Sequence, residues 1–360
     1  MQGELTRLCV IGDSSSVHVQ RWVQHFSKGF EVIVVSTSCV PVPGVRTEPI
    51  FATGSKLRKL VRVLQLRKLV KQFSPDIVHG HYLTLGGFYS SLSGGRHIVG
   101  SAWGSDIYSD PQRSFTERRI LKFVLRRYEL VFAGSKDAES KLRELGYKGP
   151  VAIVRFGVDA NMFRRTSAHG QKEFRIFHLR HCSEVYNPLV ILEGFRRALP
   201  SMPDAYLYML ESGNQIAQMH QRVESDPELK AHVRFINWVP YDKVPALYNS
   251  MDMAISLPTT DSVAASVLES MASELPLIVS DIPNMRELIE DGLTGYLSRI
   301  DPGDVATKLR EAFANRVGLG EMGKRERDRV LDPSRQATWE ANMKVAEEAY
   351  ASLLQGGDRG

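Results

Sequence analysis

The sequence predicts an α/β fold of two doubly wound parallel sheets that face a central cleft. Its 360 residues exceed the usual length of one domain, so two domains are expected. Short apolar runs alternate with stretches of helical period, an order that builds parallel sheets, and the alternation pauses at the polar segment 164–172 before it restarts. We expect an N-terminal domain over 1–163, a second domain over 164–336, and a terminal helix over 337–360 that crosses back to the first domain.

Composition restricts the class of protein. Hydrophobic residues make up 43% of the chain and charged residues 24%, which is typical of a soluble globular protein. Cys9, Cys39 and Cys182 lack metal-ligand spacing, and their odd number indicates a reducing compartment. The N-terminus lacks the order of a signal peptide, and no apolar run approaches the roughly 20 residues that span a bilayer. We therefore expect a cytoplasmic protein, and the pI near 9.0 directs attention to local basic patches.

The first domain begins with a buried strand and a loop that could hold a ligand. Residues 8–12 (LCVIG) form the strand, and the loop 13–22 leads into a helix before the strand at 31–36. Ligands of doubly wound sheets bind at the carboxyl ends of the strands, so this loop and its residue His18 are a candidate site. The loop lacks the G-x-G-x-x-G fingerprint of a dinucleotide site, and a plain connection is the alternative.

Residues 55–73 (SKLRKLVRVLQLRKLVKQF) hold seven basic residues and no acid, and their helical pattern is divided. At about 100° per residue, two apolar sets lie on nearly opposite faces: Leu57, Leu60, Val61 and Leu64, and Leu66, Leu69, Val70 and Phe73. A continuous helix would turn the second set to the sheet. The first set would then point outward and could lie on an anionic membrane surface, together with Lys56, Arg58, Lys59 and Arg62. A helix break near Gln65, with both sets buried, is the alternative.

Two further strand ends of the first domain carry polar residues. His79 and His81 alternate across the end of the strand at 76–79, so at most one of them can point to a ligand. The strand at 97–101 ends in WGSDIY, where Asp106 can cap a helix or contact a ligand. The other predicted elements are a helix that ends at 92, a largely solvated basic helix at 117–129, a helix at 136–145, and strands at 130–134 and 151–155.

The second domain repeats the alternation of strands and helices. Its predicted strands cover 174–179, 205–210, 233–236, 253–257 and 277–280. Its predicted helices cover 189–199, 215–224 and 244–249, and a further helix lies within 261–276. The long terminal helix, with apolar residues at helical spacing, belongs to the core.

The stretch 261–276 (DSVAASVLESMASELP) predicts an anion site between two strands. Asp261 and Ser262 are good N-cap residues, and small side chains after them lead into a helix. The first turn of such a helix presents unpaired N–H groups and the positive end of its dipole, which suits a phosphate. Glu269 follows two turns later, where its carboxylate could reach hydroxyls beyond the phosphate. An ordinary N-cap followed by a solvated glutamate would give the same pattern.

The stretch 257–276 resembles the nucleotide-sugar motif of the retaining glycosyltransferases that have two Rossmann-like domains, the GT-B fold (GT4 type, glycosyltransferase group 1). That family shows E-x7-E here, and this sequence has Asp261-x7-Glu269. Four other segments match in the family's order: WGSDIY, FGVDANMF, VRFINWVPYDKVPALYNSMDMAIS and DIPNMRELIEDGLTGYL. The resemblance covers nearly the whole chain.

The resemblance assigns the donor diphosphate to an arginine at the first strand end of the second domain, and Arg180 matches it. The family's lysine shortly after is absent, and EVYNPL with Tyr186 and Asn187 stands there. The diphosphate would then depend on Arg180, on Arg155, and on backbone amides at the helix start. These amides belong to Ser262, Val263 and Ala264.

Other departures affect the remaining roles that the resemblance implies. Asp261, in place of the usual glutamate, would hold sugar hydroxyls, and Glu269 would hold the ribose hydroxyls. The family's histidine near the reacting carbon is Trp103 here, so His18 and Asp106 would face the acceptor instead. Backbone groups near three residues would form the base pocket: Asn237, Trp238 and Val239.

The resemblance implies transfer of a sugar, with retention, from a UDP- or GDP-sugar to an acceptor hydroxyl, with a UDP-sugar favoured. Neither a metal nor another cofactor is expected, nor a nucleic-acid partner. The acceptor would be a glycan or a lipid-linked glycan of the cell surface, and the enzyme would be peripheral at the inner face of the membrane. A nucleotide-sugar epimerase of related fold is one alternative. An inert relative that binds sugar nucleotides or membranes is the other.

Overall fold

The computed structural model divides the chain into two compact units, Met1–Phe156 with Asn342–Gly360 and Gly157–Ala341. The chain therefore passes from the first unit to the second and returns within its last helix. The structure describes residues 5–36, 38, 40–50, 56–155, 157–166, 173–261 and 265–356, without the side chains of 56–60 and Arg113.

The first unit is built on a sheet of seven parallel strands. These are β1 (Arg7–Gly12), β2 (Glu31–Ser36), β3 (Arg46–Pro49), β4 (Ile77–His81), β5 (His97–Ser101), β6 (Leu130–Ala133) and β7 (Val151–Ile153). Their order is β3-β2-β1-β4-β5-β6-β7. The direction of the order reverses between β1 and β4, where Val10 pairs with His79. This switch point is where a doubly wound sheet opens a crevice for a ligand.

In the described part of this unit, seven α-helices connect these strands. They are α1 (Val17–Phe26), α2 (Lys56–Phe73), α3 (Gly87–Ser91), α4 (Ser105–Tyr108), α5 (Asp110–Arg113), α6 (Phe115–Leu125) and α7 (Lys136–Glu144). Two serines set helix starts by capping: the Ser114 hydroxyl accepts from the Glu117 N–H, and the Ser135 hydroxyl accepts from the Ala138 N–H. The Ser114 cap explains why α6 begins earlier than the predicted 117.

The basic helix α2 is continuous. Leu66 and Val70 are buried in the core beneath it, as the continuous helix predicts, while Val61 and Leu64 are exposed. The alternative of a break near Gln65 is therefore wrong. The outward placement of Arg62 is also wrong, since its side chain is buried. The side chains of Lys56, Arg58 and Lys59 lie outside the described residues.

The second unit holds a sheet of six parallel strands. These are β8 (Phe174–His181), β9 (Ala205–Leu210), β10 (Val233–Ile236), β11 (Met253–Ser256), β12 (Leu277–Ser280) and β13 (Tyr296–Ser298). Their order is β10-β9-β8-β11-β12-β13, and its direction reverses between β8 and β11. Ile255 pairs with His178 at this second switch point. The predicted α/β architecture with two doubly wound sheets is confirmed.

Among the residues that the structure describes here, eight α-helices cover the two faces of this sheet. They are α8 (Pro188–Ala198), α9 (Ile216–Glu224), α10 (Pro227–His232), α11 (Val244–Asn249), α12 (Ala265–Ala272), α13 (Pro283–Leu288), α14 (Pro302–Ala314) and α15 (Leu319–Leu331). Ile176 of β8 belongs to a core with α8 and α14, whereas its neighbour Phe177 belongs to a core with α11 and α12. This alternation sends successive side chains of each strand to opposite cores.

The last helix, α16 (Trp339–Gly356), contributes its residues from Asn342 onward to the first unit. Tyr350 is fully buried there, and its hydroxyl lies 2.5 Å from His79 Nδ1. The Trp22 indole N–H donates to the same hydroxyl at 3.3 Å. Among the described helices of the two units, none combines the length and the apolar character needed to cross a membrane.

Candidate functional site

The switch point of the second unit brings together the residue expected to bind the donor diphosphate and the residue expected to hold the sugar hydroxyls. Arg180 lies near the end of β8, and Asp261 lies in the loop that follows β11. Their side chains form a largely buried ion pair, and Arg180 Nε also donates to the Ser256 hydroxyl at 3.4 Å. Because charges at this depth are stable only when paired, the site is electrically balanced as it stands.

Tyr186 and Asn187 support this ion pair from the loop after β8. The guanidinium of Arg180 lies 4.7 Å from the centre of the Tyr186 ring, a cation–π contact. The Asn187 side-chain amide donates to the Leu257 carbonyl at 2.8 Å and to the Thr259 hydroxyl at 3.0 Å. Asn187 therefore fastens the loop after β8 to the loop after β11.

The loop that carries Asp261 is held from a second side. The Asn284 side-chain amide, at the start of α13, donates to the backbone carbonyl of Asp261. Asn284 is buried, so this bond is shielded from water. Asp261 is thus held at two points: Asn284 holds its backbone, and Arg180 holds its carboxylate.

A pocket of about 210 Å³ lies at the same edge of the sheet. Its walls are largely apolar, with contributions from Phe177, Leu179, Leu210, Val239, Val244, Leu247 and Tyr248, and its polar residues are His181, Ser212, Trp238 and Glu269. Such a slot suits a flat heterocycle, because apolar walls take the ring faces and a few polar groups fix the orientation.

Glu269 is fixed in the wall of this pocket by two tyrosines. The Tyr241 hydroxyl donates to Glu269 Oε1 at 2.9 Å, and the Tyr248 hydroxyl lies 3.4 Å from Oε2. Burial, and then the nearby Glu269 carboxylate, raise the pKa of Tyr248 well above its usual range, so this phenol stays a donor. The two phenol groups thereby fix the orientation of the buried Glu269 carboxylate in the pocket wall.

Trp238 and Val239 lie at the pocket as predicted for the base subsite, and Asn237 is exposed beside them. The Trp238 side chain is 79% exposed, which is unusual for so large an apolar group. Two further residues of the pocket wall were not predicted: His181 and Ser212, whose side chains are joined at 2.7 Å. The position of His181, next to Arg180 on the alternate face of β8, could have revealed it.

At the switch point of the first unit, histidines and tryptophans form a cluster. The rings of His18 and His81 lie 5.6 and 5.8 Å from the Trp103 ring, and His81 stacks on His79 at 4.2 Å. Burial lowers the pKa of His18 to about 4, with Arg21 adding to the effect, and lowers that of His81 to about 3, with His18 adding to it. These imidazoles are therefore neutral near pH 7.

Comparison with known proteins identifies the family. Residues 7–135 match the family described as glycosyl transferase 4-like, and residues 159–329 match the glycosyl transferases group 1. The chain belongs to the group 1 glycosyltransferase family. This glycosyltransferase therefore carries matches to the family on both sides of the junction between its two units.

Several relatives resemble this glycosyltransferase over most of its length. The Escherichia coli UDP-Gal:alpha-D-GlcNAc-diphosphoundecaprenol alpha-1,3-galactosyltransferase is 22% identical, over 77% of this chain and 76% of the relative. The Bacillus anthracis N-acetyl-alpha-D-glucosaminyl L-malate synthase is 23% identical, over 81% and 78%. Anabaena HepE in complex with UDP and glucose has a TM-score of 0.80 at 15% identity, and covers 97% of this chain and 100% of HepE.

Asp106 of this glycosyltransferase does not face an acceptor, contrary to expectation. Its carboxylate is fully buried and accepts backbone N–H groups from Leu83 at 2.8 Å, Trp103 at 3.0 Å and Gly104 at 2.9 Å. Burial raises its pKa to about 6, although the three amides act against this rise. Asp106 thus shapes the loop after β5, and it positions Trp103 rather than a ligand.

Four further residues of the glycosyltransferase were expected at the donor. Arg155 belongs to the first unit, where its backbone N–H donates to Asn342 Oδ1 at 2.6 Å and its guanidinium donates to the Gly134 carbonyl at 3.2 Å. Ser262, Val263 and Ala264 lie outside the described residues. Arg180, Tyr186, Asn187 and Asp261 are therefore the predicted diphosphate and sugar residues that the structure brings together.

Proposed function

We propose that the protein transfers a sugar, with retention and without a metal ion, from a UDP-sugar to a hydroxyl of a glycan or lipid-linked acceptor. One observation carries the proposal. The paired Arg180 and Asp261 adjoin an apolar pocket with a buried Glu269, all at one switch point. This arrangement suits a sugar, a diphosphate and a nucleoside in that order along one edge of the sheet.

Arg180 would stabilise the leaving group. Transfer with retention passes through an oxocarbenium-like state while negative charge develops on the leaving diphosphate. The diphosphate would replace Asp261 as the partner of the guanidinium, and Tyr186 would keep the guanidinium plane in place. The Asp261 carboxylate would then no longer pair with Arg180, and it could accept hydrogen bonds from the sugar hydroxyls. A fixed guanidinium supplies the neutralising charge that a metal ion supplies in other transferases.

The pocket would hold the nucleoside. Its base would lie between the apolar walls, with the indole of Trp238 at the rim, and the ribose hydroxyls would donate to Glu269. The relative from E. coli acts on UDP-Gal by its name, and HepE was crystallised with UDP. These parallels support a UDP-sugar over a GDP-sugar.

The acceptor would be held by the first unit, where His18 and its neighbours form a neutral cluster at the switch point. We infer that no carboxylate forms a covalent intermediate, and that the leaving phosphate takes the proton of the acceptor hydroxyl. The relative from E. coli has a diphosphoundecaprenol-linked acceptor by its name, which supports a lipid-linked acceptor in cell-surface glycan synthesis. A cytoplasmic protein peripheral at the inner face of the membrane would have access to such an acceptor.

Thermal unfolding with a panel of nucleotides tests the donor. A ligand that binds the folded state raises the apparent stability, by about 2.7 kcal/mol at a hundredfold excess over Kd. We expect UDP and UDP-sugars to raise Tm more than GDP and GDP-sugars. Asp261→Asn should weaken the response to UDP-sugars more than that to UDP, and Glu269→Gln should weaken both, whereas the exposed control Glu348→Gln should weaken neither.

Product analysis tests the reaction. With the donor that binds, transfer in the presence of a chelator should continue, and NMR should show the anomeric configuration of the donor in the product. An inverted product, a trapped glycosyl-enzyme in mass spectrometry, or loss of activity with the chelator would each overturn the corresponding part of the proposal. An epimerised free sugar nucleotide, formed from donor and enzyme alone, would replace transfer with epimerisation.

A further inference from the structure

The outer face of α6 combines exposed aromatic rings with a high density of cations. The side chains of Phe115 and Phe123 are 75% and 40% exposed. Five exposed basic residues accompany them: Arg118, Arg119, Lys122, Arg126 and Arg127. The guanidinium of Arg119 lies 5.6 Å from the Phe115 ring, and that of Arg127 lies 5.3 Å from the Phe123 ring.

Helical geometry gathers five of these seven side chains into one stripe. At about 100° per residue, Phe115, Arg119, Lys122 and Arg126 fall within an arc of roughly 60°, and Phe123 lies beside it. The opposite side of the helix packs into the core through three buried residues: Leu121, Val124 and Leu125. The aromatic and basic stripe therefore points away from the sheet.

The stripe carries an almost unopposed positive charge. Glu117 is the one acidic residue within α6, and it is half-buried. In the part of the chain that the structure describes, no ion pair joins the five cations to a carboxylate. An anionic partner could therefore bind these cations without breaking an existing ion pair.

Strand register places α2 on the same side of the sheet as α6. Val78 of β4 belongs to the core beneath α2, and it pairs with Ile98 of β5. Val131 of β6 belongs to the core beneath α6, and it pairs with Gly100 of β5. Paired residues of neighbouring parallel strands point to one face, and so do residues two apart in a strand. Val78, Ile98 and Val131 therefore share a face, and α2 and α6 cover it together.

The exposed apolar residues of α2 extend this surface. Val61 and Leu64 lie on the side of α2 opposite its core residues, and the exposed cation Lys68 lies one turn beyond Leu64. Because α2 and α6 belong to one helix layer, both helices turn apolar and basic side chains outward on the same side of the first unit.

We propose that the outer face of α6 docks the protein on an anionic lipid bilayer, with Phe115 and Phe123 among the headgroups and the five cations at lipid phosphates. Aromatic rings and the long aliphatic stems of Arg and Lys are both stabilised at the boundary between headgroups and acyl chains. A nucleic-acid backbone would satisfy the cations but would leave the two phenylalanines in water. The combination thus favours a membrane over a nucleic acid, independently of the donor and the reaction.

Co-sedimentation of the full-length protein with vesicles tests this docking. We expect binding to vesicles of phosphatidylcholine mixed with phosphatidylglycerol and little binding to phosphatidylcholine alone. Lys122→Glu with Arg126→Glu should weaken binding at least about tenfold, since each cation near an anionic surface contributes about 1 kcal/mol. Phe115→Ser with Phe123→Ser should weaken it comparably, and added salt should release the protein.

Matched controls separate docking from folding and from catalysis. Arg316→Glu with Val317→Ser removes an exposed cation and an exposed apolar side chain from the second unit, and should leave vesicle binding unchanged. All variants should keep the Tm and the nucleotide response of the parent protein, because the altered side chains are exposed. Val61→Ser with Leu64→Ser measures how far the surface extends onto α2.

Three outcomes would overturn the proposal. One is equal binding of the parent protein to neutral and anionic vesicles, and another is undiminished binding of both α6 variants. The third is binding of a DNA duplex that depends on the same α6 residues while vesicles are not bound, which would assign the stripe to nucleic acid. None of these outcomes bears on donor use, which the nucleotide response measures separately.

Discussion

At the scale of single residues, the central feature of the site is an arginine that already forms an ion pair within the protein. Arg180 pairs with Asp261, and Tyr186 and Ser256 hold its guanidinium from two other directions. Because the pair balances itself, the donor need not enter a site of uncompensated charge, and only a ligand of higher negative charge than Asp261 can displace the carboxylate. A diphosphate meets that condition.

Replacing Arg180 with Gln tests its part in stabilising the leaving group. We expect kcat/KM for the donor to fall about 10²- to 10³-fold, as for the loss of one preorganised group that meets developing charge. Arg180→Lys should recover part of this, because a point charge remains but the flat contact with Tyr186 is lost. Arg175→Gln is the control, since Arg175 lies on the same strand but pairs with Glu173. An unchanged kcat/KM in Arg180→Gln would place the diphosphate elsewhere.

Asp106→Asn tests the structural role of the buried carboxylate in the first unit. The Asp106 carboxylate accepts hydrogen bonds from three backbone N–H groups. An asparagine amide cannot accept all three, because its NH₂ group would face at least one of these backbone donors. We expect the free energy of unfolding to fall by about 1–3 kcal/mol, the cost of a buried donor without a partner. Urea titration measures this loss, while the Tm rise on UDP binding should persist. A variant as stable as the parent would contradict the role.

At the scale of elements, α16 ties the end of the chain into the first unit. Tyr350 fills the space between α1 and β4, where it contacts Trp22, Phe26 and His79. Its hydroxyl is shared between the indole N–H of Trp22 and the imidazole of His79. One residue of the last helix thus completes both the packing and the hydrogen bonding of this core.

Two substitutions at Tyr350 separate these contributions. Tyr350→Phe keeps the ring and removes the hydroxyl, so the free energy of unfolding should fall by about 1–3 kcal/mol. Tyr350→Ala also leaves a cavity and should cost about 3–5 kcal/mol, by analogy with other large aromatic residues. The exposed control Glu348→Ala should change little. Equal losses for Phe and Ala would show that the hydroxyl, and not the ring, carries the stability.

At the scale of the whole molecule, buried neutral histidines link stability to pH. Burial lowers the pKa of His18 to about 4, of His81 to about 3 and of His178 to about 3, and lowers that of His79 well below its usual range. The unfolded chain titrates near pH 6.5, so below that pH it binds more protons than the folded protein. Stability is therefore full above about pH 6.5 and is lost as the pH falls.

We expect the free energy of unfolding to drop between about pH 7 and pH 5.5, by about 1 kcal/mol for each such histidine per pH unit. Asp106 and Glu326, whose pKa values burial raises, act in the opposite direction and offset part of the loss. Urea titrations across this range measure the slope. His178→Leu should reduce the slope, and a slope unchanged by this substitution would contradict the assignment.

Local patterns in the sequence predict most of the elements and their order. Apolar runs and helical periods located most strands of both sheets. The spacing of Asp261 and Glu269 marked the site, because a helix start and its second turn lie at fixed distances along the chain. β3 was missed, since RTEP has neither an apolar run nor a strict alternation.

The partners of the polar side chains became known from the three-dimensional structure. Sequence position did not reveal that Asp106 is enclosed by three amides, or that Arg62 is buried within an otherwise outward basic stretch. Nor did it reveal that Arg180 pairs with Asp261, 81 positions away. Periodicity is a local property that fixes which face of an element is apolar. Partners of a polar group depend on which strands are neighbours in the sheet, and chain order alone does not fix that.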